Sequence, residues 1–355
     1  MKKKFILSLV SFMFFSLADS KIPVNLLPSE SEAKAMLTEA DDFIDSFPEG
    51  YQDRMANAVS HAARGMTGEL DKIRKNTNSK GTVSKNVIVS DFYGKDSSLN
   101  HALRLYRPLD CSTPLPLLIF IHGGGWCLGN VATSSEFCSQ VAASGKAMVL
   151  AADYSLSPEN KFPAGIDDCF RAINFAVSNM EKWNVKSLNL CGEGAGANIA
   201  LAAVLSSEDS DKDFFKLIKS IILFDPVVKI SPEKTASWKK YSRGYGLDSR
   251  LMEAFSTTYI SSADTSLNMT DPLISPFFAN ERSLKKLPPV LIINSERDIL
   301  FDQGVEFSKK LDSIGVEVDN VVFPGTVHSF VSAQGQPTAL AKAVQLTEYF
   351  LSSEI

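Results

Sequence analysis

Leu188-Asn189-Leu190-Cys191-Gly192-Glu193-Gly194-Ala195-Gly196-Ala197-Asn198 runs from a short apolar stretch through alternating glycines into helix-forming residues. The spacing predicts a strand over 188–191, a tight turn, and a helix over 195–206. Gly192 and Gly196 flank the turn, where the chain is too cramped for side chains. Outward from this stretch the same rhythm repeats. Apolar runs at 117–121, 148–152, 221–224, 290–293 and 318–323 alternate with helical periodicity at 166–182 and 303–313. Apolar runs alternating with helices predict an α/β fold, a mostly parallel sheet of eight strands covered by helices on both faces. Two β-like stretches, 87–89 and 102–105, come first, separated by the turn-rich Tyr93-Gly94-Lys95-Asp96.

Two segments break the rhythm. Residues 29–76 read as helical, with Met36, Leu37, Ala40, Phe43 and Ile44 at spacings of three and four. Residues 228–270 are polar, Lys- and Ser-rich and helical, and carry Trp238, Tyr241, Tyr245 and Tyr259. Together with 21–82 they are candidates for a lid over the ligand-binding edge of the sheet. The expected organisation is therefore a leader at 1–20, an N-terminal helical cap segment at 21–82, and an α/β domain at 83–355 with a cap insertion at about 228–270. The acidic Glu208-Asp209-Ser210-Asp211 reads as a solvated loop.

The chain has 355 residues, 45% hydrophobic and 22% charged, which excludes disordered, collagen-like and coiled-coil classes. A net charge of −5 leaves no basic footprint for nucleic acid. Five cysteines without a C-x-x-C pair argue against a zinc site or a disulfide framework, and no cofactor motif stands out. Lys2, Lys3 and Lys4, an apolar run from Phe5 to about Leu17, and Ala18-Asp19-Ser20 describe a secretory signal peptide. The run is short for a membrane span, which needs about 20 apolar residues. The leader holds three lysines and one aspartate, so cleavage after Ser20 takes the charge from −5 to −7. The expected product is exported, periplasmic or secreted, with no transmembrane segment and an oligomeric state the sequence leaves open.

Four motifs fall at strand ends. His122-Gly123-Gly124-Gly125-Trp126 follows the run ending at Ile121, and its glycines let backbone N–H groups approach a ligand. The stretch around Gly194 has the strand–turn–helix context of a nucleophile elbow, G-x-S-x-G, with glycine at its centre. A dinucleotide-binding fingerprint is the rival reading, since Gly192, Gly194 and Ala197 fit a loose G-x-G-x-x-A; no early βαβ unit hosts it. Asp298 and His328 each follow a strand, and the chain order of elbow, acid and histidine matches the Ser…Asp…His order of α/β-hydrolases. His61 and His101, in the helical segment and on an early strand, read as structural or surface residues.

On these motifs the chain resembles the hormone-sensitive-lipase-like family of α/β-hydrolases, carboxylesterases with an N-terminal cap. The resemblance spans roughly 85–350. It includes Asp153-Tyr154-Ser155-Leu156-Ser157-Pro158-Glu159 and Phe162-Pro163-Ala164, close to the family's D-Y-R-L-A-P-E and F-P-A, and Ser275-Pro276. It implies an α/β-hydrolase fold and a small ester or apolar ligand. By the same resemblance Gly124, Gly125 and Ala195 supply oxyanion-hole N–H groups, and Asp298 and His328 complete a triad. Supporting motif positions are His122, Gly123, Gly192, Glu193 and Gly196. The family's elbow reads G-D-S-A-G-G-N, so Glu193 stands for the acid, Gly194 for the serine and Ala197 for the last glycine; Asn198 is kept.

Glycine at 194 changes the expected chemistry, because an acyl-enzyme needs a side-chain hydroxyl. Loss of a triad serine costs about 10⁶ in kcat. Cys191 precedes the turn and is no substitute, and the Glu193 side chain should leave the turn in another direction. Three readings stay open: a non-catalytic binder of a small ligand, a hydrolase using water activated by His328 and Asp298, and a serine esterase of which this copy is a variant.

Overall fold

In the computed structural model the described residues are 21–77, 82–93, 101–206, 216–231, 234–260 and 269–352. The leader, residues 94–96 of the first turn and the acidic 208–211 lie outside them. Eight strands form one sheet: β1 (Val87–Phe92), β2 (Leu103–Pro108), β3 (Leu115–Ile121), β4 (Met148–Ala152), β5 (Val185–Glu193), β6 (Ile218–Phe224), β7 (Val290–Ser295) and β8 (Val318–Phe323). Their order is β1-β2-β4-β3-β5-β6-β7-β8. Only the β1–β2 and β2–β4 pairs are antiparallel, so the sheet is mostly parallel as the apolar runs predict.

Alternation along β3 explains the layers. Every residue of β3 is buried. Leu117, Ile119 and Ile121 share a core with α5 (Ala164–Trp183), α6 (Ala195–Ser206) and α10 (Phe301–Ser313). Leu118 and Phe120 face the other way and pack with α4 (Ser135–Ala143) and α11 (Pro337–Ser352). A strand buried on both faces needs no polar alternation, which is why these runs are continuously apolar.

The helical stretch at 29–76 is three helices: α1 (Glu30–Asp45), α2 (Tyr51–Ala62) and α3 (Gly68–Thr77). Gly50 and Gly65, at φ +68° and +86°, make the breaks. A capping box starts α1, with Ser29 accepting from the Glu32 N–H and Glu32 accepting from the Ser29 N–H. The later polar segment contributes α7 (Ala236–Lys240) and α8 (Ser249–Tyr259), and a short α9 (Glu281–Leu284) precedes β7. Helix α8 packs on α2, and Met55, Val59, Leu251 and Phe255 belong to the core that reaches the sheet. Among the described residues no helix is long and apolar enough to cross a membrane. All five cysteines are free, and four are buried.

Two local readings change. His101 precedes β2 rather than lying on it; its Nε2 lies 2.9 Å from Ser155 Oγ and 3.3 Å from Asp168, a structural junction. Strand β5 runs on to Glu193, so Gly194 alone is the apex of the turn.

The junction behind that apex depends on Asn198, fully buried on α6. Its Nδ2 donates to the Val227 carbonyl at 3.0 Å and to the Ile274 carbonyl at 2.9 Å. Asn198→Ala leaves both carbonyls without this donor inside the fold. The variant should lose about 2–4 kcal/mol of unfolding free energy, read as a lower denaturant midpoint at unchanged slope.

Candidate active site

The sheet order brings three strand ends together. Ile121 of β3 pairs with Gly192 of β5, and Glu193 pairs with Phe224 of β6. The turn after β5 therefore lies between the glycine loop after β3 and the chain leaving β6. A Cβ on Gly196 would sit 2.1 Å from the Ile121 carbonyl oxygen, and one on Gly192 would sit 2.5 Å from the Ala197 nitrogen. Both positions exclude any side chain. Gly194 adopts φ +53°, and a Cβ there would meet only His328, with Nε2 at 3.2 Å and Cε1 at 3.5 Å. The apex is thus left-handed, and its free side faces the imidazole.

The glycine loop is equally constrained. Gly124 and Gly125 have φ +109° and +59°, and a Cβ on Gly124 would lie 2.3 Å from the Leu128 carbonyl oxygen. Among the described residues the N–H groups of Gly124 and Gly125 make no backbone hydrogen bond. Ala195 opens α6, where the first-turn N–H groups have no intrahelical acceptor. His122, by contrast, does not line the cleft. It is buried, its Nδ1 lies 2.8 Å from the Gly123 carbonyl oxygen, and its ring stacks on Tyr154 at 4.3 Å. Burial lowers its pKa to about 4, so it is neutral and shapes the loop.

Asp298 and His328 meet as chain order predicts. His328 Nδ1 lies 2.6 Å from Asp298 Oδ2, and the other Asp298 oxygen accepts from the Leu300 N–H at 2.9 Å. Burial works against a charged imidazole, but the carboxylates of Asp298, Asp225 and Glu193 outweigh it and raise His328 to about 9. Glu193 is fully buried behind the apex beside Gly123, and its carboxylate oxygens lack a well-formed hydrogen bond. Burial raises its pKa. Cys191 is buried within β5, its thiol pushed far up by burial, and takes no part in the cleft.

Asp225 is the site residue that sequence reasoning missed. It follows β6 directly, at φ +43°, and its Oδ2 lies 3.9 Å from His328 Nδ1. The available signal was its position, one residue after an apolar run, like the other motifs. Among the described residues, Asp225, Asp298 and His328 are the groups close enough together to share a metal ion. Their carboxylate oxygens are instead engaged by N–H and hydroxyl donors and by the imidazole.

Above these groups lies a cleft of about 220 Å³. Its walls come from α1, α2 and the turn between them (Phe43, Met55 and Phe47) and from the segment around α8 (Leu247, Leu251, Phe255), with Gly124, Gly125, Ala195 and His328 at its floor. The Phe255 ring lies against Gly125, 2.3 Å from where a Cβ would be.

Comparison with known proteins agrees with this geometry. Residues 118–332 match a family described as alpha/beta hydrolase fold. A protein of Acanthamoeba polyphaga mimivirus named as an alpha/beta hydrolase is 31% identical over 290 residues, 81% of this chain and 79% of that protein. An arylesterase of Saccharolobus solfataricus is 31% identical over 236 residues, 65% of this chain and 73% of that protein. The crystal structure of a thermostable esterase from Pseudomonas putida superposes with a TM-score of 0.73, covering 89% of this chain and 95% of that one. Its 24% identity speaks for the fold.

The protonation of the site sets a pH dependence. His328 and Asp225 both hold protons more tightly in the fold, at about 9 and about 8, than unfolded at about 6.5 and 3.9. The native state then binds the extra protons, so stability falls as pH rises. The His328 contribution is complete below about 6.5 and lost as pH passes about 9; the Asp225 contribution is lost as pH passes about 8. Unfolding free energy measured from pH 6.5 to 9 should decline, and decline less in His328→Gln. A flat profile contradicts the assignment.

Proposed function

The chain belongs to the α/β-hydrolase fold family, and from that premise we propose an esterase-type protein whose cleft takes small carboxylic esters or similar apolar carbonyl compounds. The N–H groups of Gly124, Gly125 and Ala195 would receive the carbonyl oxygen, and the mostly apolar cleft would take the acyl or alcohol side. Asp298 would fix the His328 tautomer, with Nε2 turned to the reacting centre. Gly194 occupies the nucleophile position where the family resemblance calls for serine. As written, the chain can form no acyl-enzyme there, and ester turnover is weak or lost. The carrying observation is that the apex position faces the imidazole at close range: a Cβ at Gly194 would lie 3.2 Å from His328 Nε2. The names of the relatives, an arylesterase and carboxylesterases among them, support the ester class.

Between the two other readings, the charge on His328 weighs against a water-using hydrolase at neutral pH. An imidazole raised to about 9 is mostly protonated at pH 7 and a poor general base. A non-catalytic binder of a small ester-like ligand fits that state better and is the second reading.

Gly194→Ser should raise p-nitrophenyl ester hydrolysis by roughly 10⁴–10⁶-fold and allow labelling by a fluorophosphonate. Adding His328→Ala should remove the gain. Serine at 194 with neither turnover nor labelling would refute the esterase reading and leave the binder.

Export is part of the proposal. Expression in a secreting host followed by N-terminal sequencing should give a chain beginning at Lys21; retention of Met1 to Ser20 on the exported protein would contradict the leader.

A further inference from the structure

We propose that Asp225 is a second acid for His328, a positioning residue able to hold the imidazolium when Asp298 is neutralised. Strands β6 and β7 pair in parallel, with Phe224 opposite Ile293, so the residues just beyond them emerge side by side. Asp298 follows β7 and Asp225 follows β6, and their Oδ2 atoms approach His328 Nδ1 at 2.6 Å and 3.9 Å. Both carboxylate side chains are 1% exposed. The longer distance exceeds a hydrogen bond but lies within ion-pair range.

Asp225 is held there at a cost. Its φ of +43° is uncommon for a residue with a Cβ. Its N–H donates to the Ile293 carbonyl at 2.9 Å. The carboxylate accepts from the Ser295 N–H at 2.6 Å, the Ser295 hydroxyl at 3.0 Å and the Ser329 N–H at 3.2 Å. Ser329, next to the histidine, is itself at φ +67°. Three donors thus aim a buried carboxylate at the nitrogen Asp298 already serves.

Two carboxylates this close resist ionising together. Burial and the neighbouring Asp298 push Asp225 up, so it is largely protonated while Asp298 pairs with the imidazole. Removing the charge of Asp298 relieves that repulsion, and Asp225 then ionises beside His328. The acidic groups facing His328 come from three strand ends: Glu193 on β5, Asp225 after β6 and Asp298 after β7. On its open side the cleft offers mainly apolar walls, with Tyr51 and Gln52.

A purely structural Asp225 would tie β6, β7 and the histidine loop together and leave the imidazole to Asp298 alone. An NMR titration of His328 in the unsubstituted chain separates the two, assigned by loss of its signal in His328→Gln. The chain needs no turnover for this readout, so its outcome is independent of the esterase reading. In Asp298→Asn the His328 pKa should stay above the ordinary imidazole value of about 6.5. Adding Glu193→Gln should leave it there, which assigns the effect to Asp225. In Asp225→Asn with Asp298→Asn it should fall below 6.5, because burial then acts with little opposition. A fall to or below 6.5 in Asp298→Asn alone overturns the proposal, and this single variant decides even where Asp225→Asn does not fold. In a Gly194→Ser background with restored turnover, Asp298→Asn should cost about 10–100-fold, and the double variant about the 10⁴-fold seen when a triad loses its acid. An equal loss in both also overturns it.

Discussion

The approach of Gly196 to the Ile121 carbonyl is the constraint on which the site depends. With 2.1 Å between that oxygen and any Cβ, the first turn of α6 can lie against the end of β3 only as bare backbone. This contact sets the apex at Gly194 beside the glycine loop and brings Ala195, at the opening of α6, to the floor of the same cleft. Helix α8 adds a second close approach, Phe255 on Gly125, which packs against the loop. Neither contact involves a polar side chain. The site is a backbone construction, and its acid and base are placed around it by the neighbouring strand ends.

Electrostatics then follow from topology. Parallel neighbours β5, β6 and β7 end at one edge, and each delivers an acidic residue to the same imidazole. Glu193, Asp225 and Asp298 are all buried; burial makes the first two hold their protons, and the imidazolium pairs with Asp298. In an enzyme with a serine, a histidine held this strongly protonated would be slow to accept the hydroxyl proton at neutral pH. With glycine at the apex there is no hydroxyl to deprotonate, so the charge on the imidazole carries no such penalty.

The parts legible in the sequence were those written in local pattern. Strand β4 and helix α6 have the boundaries expected from apolar runs and periodicity, and Asp298 with His328 followed from chain order. The division of 29–76 into three helices was less visible, because Gly50 and Gly65 interrupt a periodicity that carries on beyond them. Asp225 was not legible at all. Alone before Pro226 it looks like a turn residue, and its role appears only when β6 and β7 lie side by side. Phe255 likewise belongs to a polar stretch whose one decisive contact, with Gly125, is 130 residues away in the chain.

The same geometry changes what the retained motifs mean. Gly192, Gly196 and Gly124 survive any loss of chemistry, since a Cβ at each would meet backbone atoms at 2.1–2.5 Å. Asp298 has a structural duty as well, accepting from the Leu300 N–H at the start of α10. An intact frame of glycines and acid is therefore what the fold itself demands, and says little about catalysis. His328 differs. Its Nδ1 is bonded to Asp298, while Nε2 faces the Gly194 position and, among the described residues, makes no hydrogen bond to a neighbouring element. Its placement facing the apex, rather than the glycine motif, is the feature of this site that packing of the strands and helices does not by itself require.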